Sequence, residues 1–195
     1  MGMSFPAPDV FCLYRMRPLT RRLIHSLKYK SIPGMASYLV RHSSATPGGE
    51  IAQAVDVFPK PFFFVPVPLH RARYRERGYN QAEMIAAALA TLYRGRVCRW
   101  IRRKTFRVSQ TKLSRSERER NVAGAFESAL PAHLPARGTV FIVDDVFTTG
   151  ATTTACLCAL GKEFPLPTKV CTLLYDEPVS AAADYAADKQ EFYGA

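Results

Sequence analysis

The chain has 195 residues, enough for one well-buried α/β core and too few for two comfortable ones. With 48% apolar and 22% charged residues it falls in the globular range and outside the disordered one. A formal net charge of +11 favours polyanionic company (nucleic acid, pyrophosphate-bearing metabolites or an anionic membrane surface) without choosing among them.

Residues 1–11 carry Gly2, Pro6 and Pro8 and read as an extended lead-in. Arg15, Arg17 and Pro18 break any signal-peptide core early, and no apolar run approaches the ~18 residues of a membrane span, so a cytoplasmic protein without membrane insertion is expected. Leu19, Leu23, Ile24 and Leu27 recur at helical spacing, with Arg21, Arg22, Lys28 and Lys30 on the remaining surface. A second helical stretch, Met35–Arg41, runs into a loop at Pro47-Gly48-Gly49. Phe62–Val67 is apolar throughout, as expected of a strand buried on both faces, and its prolines end it near Val65. An Arg-rich loop, His70–Asn80, then opens into a helix. Asn80 is the expected N-cap, Glu83 the partner that completes a capping box, and Met84, Ile85, Ala88, Leu89 and Leu92 the apolar face. After a weaker strand, Val97–Ile101, a highly charged stretch shows little apolar periodicity until Val122. The strand Thr139–Val143, the helix Gly150–Leu160 closed by Gly161, and the strand Lys169–Leu174 complete the series. Strands alternating with helices predict a parallel sheet with right-handed crossovers.

Five cysteines, at positions 12, 98, 156, 158 and 171, show no CxxC spacing and are read as small buried hydrophobes of a reducing compartment. On a helix, Cys156 and Cys158 point to different faces and do not share a metal. His42 and His133 read as loop residues and His25 as a partly buried helical residue. His70, just after a strand, stays open between ligand contact and ordinary surface histidine.

The segment that carries chemistry is Val140-Phe141-Ile142-Val143-Asp144-Asp145-Val146-Phe147-Thr148-Thr149-Gly150-Ala151-Thr152. An apolar strand delivers two carboxylates to its carboxyl end, where open α/β sheets bind ligands. A helix N-terminus follows, with unpaired N–H groups and a positive dipole end suited to phosphate. Thr148, Thr149 and Thr152 add hydroxyl donors, and Gly150 lets the backbone approach closely. The carboxylates suit ribose hydroxyls and a nearby Mg²⁺. No GxxxxGK[ST] loop is present, so an ATPase reading fails.

This pattern resembles the 5-phosphoribosyl-1-pyrophosphate (PRPP) signature of the type I phosphoribosyltransferases. Pro66-Val67-Pro68-Leu69-His70-Arg71 and Arg77-Gly78-Tyr79-Asn80-Gln81 are similar to the segment after the first core strand of the ComF family of competence-associated, phosphoribosyltransferase-like proteins. Arg102-Arg103-Lys104-Thr105, Gln110, Leu113, Arg118, Asn121 and Gly124-Ala125-Phe126 resemble that family's mobile hood, and Leu23-Ile24-His25 with Leu27-Lys28-Tyr29 its N-terminal region. The resemblance implies a single-domain α/β phosphoribosyltransferase fold: a mainly parallel twisted sheet flanked by helices, with an N-terminal helical region (1–60) and a phosphoribosyltransferase domain (61–195) whose basic hood spans about 102–126. It also implies roles. Asp144 and Asp145 take the ribose 2- and 3-hydroxyls, Thr148, Thr149, Gly150, Ala151 and Thr152 the 5-phosphate, and Leu69, His70 and Arg71 the pyrophosphate. Arg103 and Lys104 are the catalytic cations, and Mg²⁺ arrives with PRPP near the two acids with no direct protein site of its own. Many ComF relatives begin with a cysteine-rich zinc module. Only Cys12 precedes Arg15 here, so zinc is not expected.

The segment Arg94–Arg120 holds eleven Lys or Arg against Glu117 and Glu119. A segment so charged should be mobile without a ligand, and closing over PRPP it would stabilise departing pyrophosphate and exclude water. A solvated face and a track for nucleic-acid phosphates are the other readings. Tyr74, Tyr79, Tyr93, Trp100 and Phe106 interleave with the charge, and Trp100 and Phe106 are read as core aromatics. Two functions follow: a Mg²⁺-dependent phosphoribosyltransferase of unspecified acceptor, tied to DNA uptake or nucleotide metabolism, and a non-catalytic PRPP sensor that binds single-stranded DNA. Related folds often pair, which makes a homodimer a candidate state.

Overall fold

The computed structural model describes residues 9–30, 32, 34–44, 55–104 and 124–176. Its elements in chain order are β1 (Val10–Arg15), α1 (Pro18–Tyr29), α2 (Met35–Ser44), β2 (Phe62–Pro66), α3 (Arg71–Arg77), α4 (Gln81–Leu92), β3 (Arg96–Val97), β4 (Ile101–Arg103), β5 (Phe126–Ser128), β6 (Thr139–Phe147), α5 (Ala151–Leu160) and β7 (Thr168–Tyr175). Five strands form one sheet in the order β1-β7-β6-β2-β3, and every neighbouring pair is parallel. β4 and β5 form a separate antiparallel pair. The protein is therefore a mixed α/β fold with a parallel sheet flanked by helices.

The side-chain period of two splits each central strand between two cores. Phe62, Phe64, Phe141 and Val143 face one layer with Ile24, Leu27, Leu39, Val40, Ile85 and Leu89, which come from α1, α2 and α4. Phe63, Val65, Val140 and Ile142 face the other, with Trp100, Phe126, Ala155, Cys156 and Leu160, supplied by the small sheet and α5. Both faces are covered, which is why β2 and Val140–Val143 of β6 are apolar at every position. Phe141 stacks on Phe64 at 5.4 Å and meets Phe62, Phe11 and Phe58 edge-on. Each fully buried side chain of this size stabilises by roughly 1.5–3 kcal/mol. Trp100 packs on Phe63 and Phe164, as its reading as a core aromatic requires.

Several local expectations are corrected. The supposed lead-in runs at Val10 and Phe11 into a strand, β1, because Val10–Arg15 finds a parallel partner in β7 (Val10 opposite Val170, Arg15 opposite Tyr175). The N-terminal region is thus not helical alone. The Arg-rich loop is partly helix: His70 caps α3 by accepting from the Ala72 N–H at 3.2 Å, and Gly78 closes it at φ 79°. Asn80 does cap α4, accepting from the Ala82 N–H at 3.1 Å, but Glu83 takes Arg99 at 2.6 Å in place of a capping-box bond. The strand expected over Val97–Ile101 divides into β3 and β4, which belong to different sheets. His42 lies on α2, stacked on Tyr38 at 3.8 Å, and His25 is exposed against Tyr29. Phe106 and the greater part of the hood, 105–123, lie outside the described residues, as do Pro47-Gly48-Gly49.

Candidate functional site

Strand order decides where the site lies. From β2 the chain continues outward to β3, whereas from β6 it continues the opposite way to β7, so β2 and β6 flank a topological switch point. Crevices at the carboxyl ends of such strand pairs are where open sheets bind ligands. Pairing of Val65 with Ile142 and Pro66 with Val143, followed by the Val67 N–H donating to Val143 O at 2.8 Å, sets the loop after β2 beside the loop after β6. Leu69–Arg71 and Asp144–Thr152, far apart in sequence, therefore follow the same end of two neighbouring strands.

β6 does not stop at Val143. It continues beside β7, with Asp144 opposite Thr172 and Phe147 opposite Tyr175. On the β2 side pairing ends at Val143, so both acids stand on a stretch of strand whose β2 flank opens to the crevice. Successive residues point to opposite faces. Asp145 shares the side of Phe141 and Val143 and meets Lys28 of α1, Nζ to Oδ2 3.1 Å. Asp144 shares the side of Val140 and Ile142, toward Cys156 of α5, and its Oδ1 accepts the Asp145 N–H at 2.8 Å. Burial first, and the neighbouring Asp145 charge second, push the Asp144 carboxyl up to about 7, against the opposing pull of that N–H and of Lys28.

Thr148 and Thr149 are exposed, and Gly150, Ala151 and Thr152 are half-buried where α5 begins. Gly150 is left-handed (φ 74°, ψ 1°), and a Cβ there would lie 2.9 Å from the Phe147 ring. Thr149 Oγ1 accepts from the Ala151 N–H at 3.4 Å, while Thr153 Oγ1 donates to Gly150 O at 2.9 Å. No acid stands in the first turn of α5, so its positive end is uncompensated.

The cations gather on the Asp144 face. Arg103, on β4, lies half-buried with its guanidinium 5.1 Å from the Phe126 ring centroid. Burial and then the charge of Arg73 hold its pKa below the usual arginine value. Burial, then Arg103, Arg73 and Arg75, likewise lower His70, whose Nδ1 already serves as an acceptor to α3. The Cys156 thiol is pushed up by burial and by Asp144, with Arg103 pulling the other way. Arg103 and Asp144 thus bracket the same thiol. Lys104 is exposed, its N–H donating to Ala125 O at 2.8 Å, and Arg71 is exposed on the first turn of α3.

Among curated proteins, DNA utilization protein YhgH of Escherichia coli O6:H1 is 33% identical over 141 residues, covering 67% of this chain and 56% of its own length. Competence protein F of Haemophilus influenzae is 34% identical over 101 residues, covering 47% of this chain and 41% of its own length. The chain is thus similar to proteins of DNA utilization and competence, Competence protein F among them. The chain spans little more than half the length of the YhgH proteins it matches, 56%. No family profile matches it. Among solved structures, an adenine phosphoribosyltransferase aligns over 74% of this chain and 71% of its own, at 14% identity and a TM-score of 0.47. The Saccharomyces cerevisiae adenine phosphoribosyltransferase aligns over 75% and 71%, at 14% identity and a TM-score of 0.45.

The structure thus sets Asp144, Asp145, the Thr148–Thr152 turn and Leu69–Arg71 at the carboxyl ends of β2 and β6, with Arg103 and Asp144 both near Cys156, and leaves Lys104 turned to solvent. Two charged residues near this set escaped sequence reasoning. Arg73 was hidden in a run read as loop, although the density of arginines in Arg71-Ala72-Arg73-Tyr74-Arg75 was a visible sign of a cationic segment. Lys28 carried no signal, because only tertiary packing sets α1 against β6.

Proposed function

We propose that the crevice between β2 and β6 binds PRPP together with Mg²⁺ and that the protein is of phosphoribosyltransferase type. The observation that carries this reading is the Asp144–Thr152 segment: two carboxylates at an open strand end, then a left-handed Gly150 and a hydroxyl-bearing turn at an uncompensated helix N-terminus. The turn suits a sugar phosphate and the acids suit hydroxyls. The Arg103–Arg73 cluster with His70 supplies donors for pyrophosphate on the same side.

The donor set fits magnesium. Asp144 and Asp145 are hard oxygen donors, and among the described residues no three His, Cys, Asp or Glu converge, so phosphate oxygens and water would complete the shell. Bound with PRPP, the metal would neutralise charge on departing pyrophosphate. The chain's own part is to hold the diol at Asp145 and Asp144, seat the phosphate at Thr148–Thr152, and present Arg103 to the leaving group. The test is thermal: at about 100 times its dissociation constant, PRPP with Mg²⁺ should add about 2.7 kcal/mol. No melting shift with millimolar PRPP and Mg²⁺ in folded protein refutes the site.

A second reading, a PRPP sensor that engages single-stranded DNA, draws on the names of the relatives and on surface chemistry. Tyr29 and Tyr74 are exposed beside Arg77 and the arginines of α3, an arrangement suited to base stacking along a phosphate track. Pyrophosphate release from PRPP across a panel of bases and amines separates enzyme from sensor. Within the described residues no helix is long and apolar enough to cross a membrane.

A further inference from the structure

We propose that Lys28 of α1 belongs to the ligand site as a positioning residue, holding the Asp145 carboxylate in the orientation that accepts a sugar hydroxyl. The inference rests on the phosphoribosyl-binding reading above and extends the site to an element far from the signature in sequence.

Lys28 Nζ lies 3.1 Å from Asp145 Oδ2, with side-chain exposures of 25% and 16%. A pair this sheltered is screened less than an ordinary surface pair. The backbone that carries it is anchored on several sides. Ile24 and Leu27 are buried against the core at 6% and 1% exposure. The Tyr79 hydroxyl donates to Leu27 O at 2.5 Å, and Arg77 stacks over the Tyr29 ring at 5.0 Å. Lys28 therefore extends from a fixed turn.

The geometry leaves Asp145 able to work. Lys28 engages Oδ2, and an ionised carboxylate has further acceptor sites for a hydroxyl. Charge makes the cation useful: Asp145 is next in chain to Asp144, and the ligand is itself anionic. The arginines gather on the Asp144 face, and among the described residues Lys28 is the one cation ion-paired with either acid. Without it, Asp145 would swing toward water and meet an anionic ligand unneutralised. Its action runs through Asp145, so it should be felt where the diol is held and not where pyrophosphate alone binds.

Calorimetric titration of the full chain with two probes, ribose 5-phosphate and pyrophosphate without added metal, tests this in wild type, K28M and K28R. K28M should bind ribose 5-phosphate at least about tenfold more weakly and pyrophosphate within about twofold of wild type, and K28R should recover much of the loss. Unchanged or tighter ribose 5-phosphate binding by K28M overturns the proposal. So does an equal loss for both probes, which marks a general structural effect, or no recovery in K28R. If K28M does not fold, K28Q replaces it and is read the same way. If wild type binds neither probe, the phosphoribosyl reading itself falls and takes this one with it; wild-type binding with K28M unaffected removes Lys28 alone.

Discussion

Substituting Gly150 by alanine tests the loop on which the phosphate site depends. The residue sits at φ 74°, where a side chain costs roughly 1–2 kcal/mol. Its new Cβ would lie 2.9 Å from Phe147 Cζ and 3.2 Å from Cε2, closer than a carbon tolerates, so the ring must move. That ring stacks on Tyr175 with centroids 5.9 Å apart, and disturbing the pair adds about 0.5–1.5 kcal/mol. The expected cost is about 2–3 kcal/mol, a fall in melting temperature of about 5–10 °C for a chain of this size. Any shift of the turn also turns N–H groups at the start of α5 away from a bound phosphate. Losing one charge-assisted hydrogen bond weakens PRPP about tenfold to about a hundredfold. Differential scanning fluorimetry and calorimetric titration read the two effects separately. Adding Phe147→Leu to Gly150→Ala should recover the ring's share only, because the backbone strain persists. An unchanged melting temperature in Gly150→Ala, or full recovery in the double variant, refutes the left-handed turn as the source.

Three further outcomes are expected. Asp144→Asn with Asp145→Asn should abolish most PRPP binding while lowering stability far less, and unchanged affinity in titration means that the diol is held elsewhere. Asp144 is lifted to about 7 by burial and by Asp145, above an unfolded value near about 3.9. The folded chain therefore keeps a proton that the unfolded chain releases, so the contribution is complete below about pH 4 and lost as pH rises through about 7. Ligand-free melting temperature should fall from about pH 5 to about pH 8, less so in Asp144→Asn, and coincident profiles would dismiss the shift. PRPP with Mg²⁺ should protect Arg94–Arg120 from limited trypsin digestion. Protection by single-stranded DNA alone, lost as salt rises, would favour the DNA-handling reading, and protection by both requires reciprocal coupling of the two affinities.

What the sequence by itself determined is what local interactions decide. The β6–turn–α5 unit was legible because an unbroken apolar run, two acids, hydroxyls and Gly150 each act within a few residues of one another. The Asn80 cap was legible for the same reason, since its bond to the Ala82 N–H spans two residues. Errors arose where a distant partner overrode a local signal. Prolines near the N-terminus outweighed Val10–Arg15 until β7 supplied hydrogen bonds to that strand. Glu83 had a local cap available and took Arg99, brought in from sixteen residues further along. Tertiary packing set Arg103 and Arg73 near His70, and the packing of Ile24 and Leu27 aimed Lys28 at Asp145. Only the tertiary structure decided these charge neighbours. A lysine's partner depends on which helix face is buried against which strand, and this sequence encodes that only through the whole core.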